Sequence, residues 1–166
     1  MIGRLPGHEE TLLKLLMLHK IEEAGHNAWA FRDYELLGGS VQYANTTPMS
    51  ASCFAVTGVW WRMATAESPF GYIGAEYLFE YLTMICSQAL VPVFKDRGLK
   101  ADGLRFIIDH ATEDEKHTKL VKHLIMDCVT RYPESEAAML RCFDYFRQVY
   151  PLPVWTEAYQ RALAAK

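Results

Sequence analysis

Apolar residues return every three or four positions along this chain, and no segment sustains a two-residue alternation. Such spacing gathers apolar side chains on one face of a helix, so it predicts an all-α fold without strands. The first helix is expected from Glu9 to Leu37, with Leu12, Leu15, Leu16, Leu18, Ile21 and Trp29 at helical spacing and Gly38-Gly39 as its stop. A polar connector, 40–47, leads to Pro48, which suits a first helical turn behind a Thr47 cap. The second helix should then reach about Ala66. A third, very apolar, is expected from Tyr72 to about Val91, ended by Pro92 and the loop at Arg97-Gly98. The fourth should open near Ala101-Asp102 and continue to about Arg131, with Pro133 closing it. A fifth covers Glu134 to Val149, and Pro151 and Pro153 precede a short last helix with Trp155 and Tyr159.

Composition narrows this to a helical bundle of five to six helices in a single domain, 1–166. Apolar residues make up 51% of the 166, enough to build a core without disulfide or metal staples. The charge balance, 17 − 20 = −3, supplies no basic excess, which argues against a nucleic-acid or anionic-membrane surface. The apolar stretch from Leu82 to Phe94 is interrupted by Ser87, Gln88 and Pro92, short of the roughly 18 residues a membrane helix needs. The first residues lack the apolar core of a secretory signal, so a cytoplasmic location is expected. Cys53, Cys86, Cys128 and Cys142 form no C-x-x-C pair and read as reduced, small hydrophobes.

Candidate chemistry lies on three of the expected helices. On the first, His19 and His26 are seven apart and would project about 20° from each other. Glu22 and Glu23 stand four and three residues before His26, close enough to converge with it. Glu23-x-x-His26 is the spacing by which one helix offers a carboxylate and an imidazole to a metal pair. On the fourth helix, His110, Asp114 and His117 fall on one face, a nitrogen-and-oxygen set that suits iron or manganese. The third helix places Glu76 and Glu80 in apolar surroundings, where an ionised carboxylate is costly unless paired or metal-bound. His8 and His123 fall outside both clusters, and Glu113 and Glu115 on flanking, solvated faces.

Together, His19-x-x-Glu22-Glu23-x-x-His26, Gly74-Ala75-Glu76-Tyr77-Leu78-Phe79-Glu80 and His110-x3-Asp114-x2-His117 resemble the haem-oxygenase-like diiron oxidases and oxygenases, related in fold to the TenA-type thiaminases. The resemblance covers about Leu12 to Leu124, and its third element is the most specific. It implies a metal site of Glu23, His26, Glu80, His110, Asp114 and His117, with Glu80 bridging and His19, Glu22 and Glu76 as further donors in reach. Some family members carry a glutamate seven residues before the first histidine, a position held here by His19. Either Glu23 supplies that ligand at a shorter spacing, or His19 adds a nitrogen donor.

The implied cofactor is a pair of Fe(II) ions, with manganese compatible with the same donors. The implied activity is dioxygen-dependent oxidation of a small organic substrate, amine- or carboxylate-bearing in many members, in a pocket lined by Trp29, Trp61, Tyr77 and Tyr81. One iron would take His26 and Glu23, with or without His19. The other would take Asp114 and His117, and His110 would join either. Little chain precedes the first metal-bearing helix, so an apolar side covered by a homodimer partner is expected. The competing readings are a non-catalytic metal- or partner-binding helical protein and a metal-free TenA-like hydrolase using Cys53, Cys86 or Cys128. Haem held by His19 or His26 is a further reading, disfavoured by the surrounding carboxylates.

Overall fold

The computed structural model describes residues 2–164. The chain folds into α1 (Glu10–Glu22), α2 (His26–Leu36), α3 (Val41–Thr46), α4 (Ala51–Thr65), α5 (Gly71–Asp96), α6 (Arg105–Arg131), α7 (Ser135–Val149) and α8 (Leu152–Ala164). Short 3-10 turns occupy Ile2–Arg4 and Ala101–Gly103. No strand occurs among the described residues. The fold is all-α, as expected, and the expected helices are present. The first is in two pieces, α1 and α2, and the connector holds the extra turn and a half of α3.

Four boundaries differ from the sequence reading, one being the start of α6, which opens at Arg105 because a 3-10 turn occupies Ala101–Gly103 ahead of it. The expected first helix breaks after Glu22 because Gly25 takes a φ of +100°, in the left-handed region that a side chain disfavours. The second begins later than Pro48, because Ser50, and not Thr47, accepts the Cys53 N–H as cap. The Thr47 hydroxyl instead donates back to the Tyr43 carbonyl. Helix α5 continues through Pro92 to Asp96. Proline there removes one N–H near the exposed end of a long helix, and the Gln88 carbonyl it would have reached belongs to an exposed residue. By length and composition α5 could cross a bilayer, although its first half carries Glu76 and Glu80.

The chain forms two compact units. One consists of 2–7, Pro48–Leu78 and 123–164, the other of His8–Thr47 and Phe79–Lys122. Helices α5 and α6 each begin in one unit and end in the other.

The first unit is an apolar assembly. On α7, Ala138, Met139, Cys142 and Phe146 form a buried stripe at helical spacing. Trp60 of α4 packs on Tyr72 and Phe146, with ring centroids 4.7 and 4.6 Å away. The start of α5 meets α7 so closely that a Cβ on Gly74 would lie 2.4 Å from the Met139 carbonyl oxygen. At the start of α4, the Ser52 N–H donates to Glu157 of α8 at 2.9 Å, and its hydroxyl does the same. These two bonds bring the half-buried Glu157 carboxyl down to about 2.

The second unit builds the polar site. Along α1 the buried positions are Leu12, Leu16 and His19, so the stripe that buries two leucines also buries an imidazole. Helix α2 lies against the Ala101–Gly103 turn that precedes α6. Asp33 of α2 is buried there and accepts the Phe106 N–H at 2.7 Å.

Candidate metal centre

Four segments of the second unit converge on one buried cluster. The end of α1 supplies His19 and Glu23, the first residue of α2 is His26, α5 supplies Glu80, and α6 supplies His110, Asp114 and His117. Each histidine in this set is buried, and Asp114 is only 1% exposed. The turn at Gly25 makes the first part of this convergence: Glu23 caps α1 and His26 opens α2. The single-helix phase relation expected between His19 and His26 is therefore replaced by a bend.

Distances divide the donors into two groups. In one, His19 Nε2 lies 3.1 Å from Glu80 Oε1. His117 Nδ1 lies 3.1 Å from Glu23 Oε1 and 3.5 Å from Glu80 Oε2. In the other, His26 Nδ1 lies 3.0 Å from Glu23 Oε2, with His110 beside it at a ring-centroid distance of 4.8 Å. His19, Glu23, Glu80 and His117 form a set whose ligand atoms all fall within 4.8 Å of one another, and Glu23, His26 and His110 form a second. Glu23 belongs to both. This grouping differs from the expected one in His19, which sits with His117, while His110, expected with either ion, sits with His26.

The electrostatics are those of a site short of positive charge. Burial disfavours an imidazolium at His117, but Asp114, Glu23 and Glu80 outweigh it and push the group up to about 12. Burial likewise acts against the Glu23 and Glu80 carboxylates, yet their hydrogen bonds with histidine hold both below the usual glutamate range. Asp114 goes the other way: burial raises it, and the compensation from His117 falls short. Its Oδ1 stands 3.6 Å from His117 Nδ1, too far for a hydrogen bond, and neither carboxylate oxygen has a hydrogen-bond partner. An uncompensated buried carboxylate costs several kcal/mol, on the order of 3–5.

A divalent cation bound here would supply the charge that the carboxylates lack and would take the place of the His117 proton. The donor set of imidazoles and carboxylates fits iron. The His110 Nδ1–H donates to the Phe106 carbonyl, which leaves Nε2 as the nitrogen that could hold a metal.

Other residues expected at the site fall as follows. Glu22 reaches His117 Nε2 at 3.3 Å from a side chain that is 61% exposed. Glu76 is half-buried and belongs to the first unit, outside both donor groups. Trp29 stacks on His26 with ring centroids 4.2 Å apart, and the Arg105 guanidinium lies 4.2 Å from the Trp29 ring centre. Tyr81 is at the surface. Tyr77 and Trp61 belong to the first unit, and Trp61, expected as pocket lining, is 74% exposed. It lies on the side of α4 away from Met63, which is the buried side. His8 and His123 are exposed, in keeping with their exclusion.

Sequence reasoning missed Asp33 and the Phe106 carbonyl. A signal for Asp33 existed, since His26, Trp29 and Asp33 stand at i, i+3 and i+7 on one face of α2. Its partner, 73 residues away, carried none.

No curated protein and no solved structure matches this sequence. A family model described as iron-containing redox enzyme matches residues 1–150, a span that holds every donor of the cluster and stops short of α8. With an all-α fold and a buried cluster of histidines and carboxylates, the chain belongs to the iron-containing redox enzyme family.

Proposed function

We propose that the protein is a non-haem diiron oxidoreductase that uses dioxygen on a small organic substrate. The observation that carries the two-ion reading is Glu23. One of its oxygens faces His117 and the other faces His26, so a single carboxylate serves both donor groups. Both oxygens of Glu80 lie within one group, against His19 and His117. Glu23 is thus the better candidate for the bridge that the family resemblance assigned to Glu80.

His19, Glu80 and His117, with Asp114 behind them, would hold one ion, and His26 and His110 the other. Iron bound there supplies the electrons and the open coordination positions that dioxygen chemistry needs. The chain's own part is orientation and exclusion. Phe106 fixes the His110 ring, and His117 must release a proton from Nδ1 before that nitrogen can ligate. Trp29 covers one face of His26 and keeps water from it.

The test is iron content after anaerobic Fe(II) loading and desalting, together with oxygen uptake on readmission of air. Two irons per chain are expected, and Glu23→Ala should fall below one while staying folded. A folded wild-type protein holding one iron would sink the two-ion reading, and one holding none would leave a non-catalytic or hydrolytic role.

A further inference from the structure

We infer that Asp33 is a positioning residue for the His26–His110 half of the centre, acting through the backbone of Phe106. The inference rests on the two-ion reading above. Asp33 is 6% exposed and shares the α2 face that carries His26 and Trp29. Its Oδ2 accepts the Phe106 N–H at 2.7 Å. Phe106 is the second residue of α6, where amides have no acceptor within their own helix. Leu104, just ahead of α6, is apolar and offers no cap, so the acceptor comes from α2.

The same residue, Phe106, then accepts the His110 Nδ1–H through its carbonyl, and its ring lies 4.1 Å from the imidazole. Asp33 therefore holds the residue that selects the His110 tautomer, and it does so from the helix whose first residue is His26. One carboxylate sets both the direction of His110 Nε2 and the spacing of the two imidazoles. Outer partners of this kind change metal affinity by about 10- to 100-fold when removed.

The test is an anaerobic Co(II) titration of the full chain followed by its visible spectrum. Wild type should take two ions. Asp33→Ala should keep one near wild-type affinity and bind the second at least about tenfold more weakly. Asp33→Asn, which retains an acceptor oxygen, should return the second to within a few-fold. Equal weakening of both ions in Asp33→Ala, without rescue by Asp33→Asn, would mean a merely structural role and overturn the inference. Unchanged binding of both would also overturn it. Histidine 15N spectra of the metal-free protein read the same device without a metal. The His110 Nδ1–H form should dominate in wild type and Asp33→Asn and give way to a mixture in Asp33→Ala. An unchanged tautomer in Asp33→Ala would overturn the inference, whereas a wild type that takes only one Co(II) would count against the two-ion reading alone.

Discussion

Between Gly71 and Leu78, α5 gives up bulk so that α7 can close upon it, while six residues beyond Gly74, a rise of about 9 Å, the same helix delivers Glu80 to His19 of α1 and His117 of α6. The first stretch obeys every local rule: apolar stripes meet apolar stripes, and a missing Cβ permits backbone approach. The second breaks them by burying the Glu80 carboxylate, and the helices it meets do the same, α1 with an imidazole on a leucine stripe and α6 with Asp114 without a hydrogen-bond partner. Stability and chemistry are thus drawn from different stretches of one helix. The stretch that spends stability is where the function lies.

The contrast can be broken most forcefully from the packed side. Gly74→Val should cost about 3 kcal/mol or more, since its Cβ would fall on the Met139 backbone and neither helix can give way alone. Thermal unfolding of the metal-free protein reads this as a lowered midpoint, and any folded fraction should keep its iron stoichiometry. Loss of iron in proportion to the folded signal would agree with that separation, and loss ahead of it would not.

An intermediate effect is expected from pH, which leaves the apolar seam untouched and acts on the centre. In the metal-free protein, His117 is raised from 6.5 to about 12, so its contribution is complete below pH 6.5 and is lost as pH rises through 12. Glu23 and Glu80 lie below 4.5, so theirs is present above that value and lost on acidification. Asp114, raised from 3.8, favours the folded state most when protonated and withdraws that support as pH rises. Metal must displace the His117 proton, so affinity should climb about tenfold per pH unit from about pH 6 to pH 8. Calorimetry in buffers of different ionisation enthalpy would count the released proton, and a flat profile would show that His117 is no ligand.

The smallest change is expected at Glu22. It touches His117 from a largely solvated position, so Glu22→Gln should weaken iron binding by less than about threefold. A loss as large as that of Glu23→Ala would move Glu22 into the centre.

The part of the site carried by α6 was legible because that helix runs without a break from Arg105 to Arg131. On such a helix, positions i, i+4 and i+7 share a face whatever surrounds them, so spacing alone puts His110, Asp114 and His117 on one side of α6, and all three are buried. Spacing misled on the first arm, because it assumes one continuous helix and Gly25 ends that continuity. The proline at 92 misled in the opposite direction, since a single lost N–H near an exposed end is tolerable. How the imidazoles pair, His19 with His117 and His26 with His110, depends on segments roughly ninety residues apart, and no local pattern contains that information. Trp61 illustrates a related limit: composition does not say which of two adjacent aromatics turns inward, and it is Trp60 that packs on Tyr72 while Trp61 is exposed.

Gly25 also has a meaning in terms of handedness. Every other residue from α1 into α2 is chiral and pulls the backbone toward the right-handed helix. A chain built wholly of such residues would carry His26 onward along the axis of α1. The one achiral unit between them suspends that bias for a single step, and Glu23 can then offer an oxygen to His26 across the bend. The shape of the centre is thus written partly in a hydrogen atom, where any mirror-asymmetric substituent would turn the chain away.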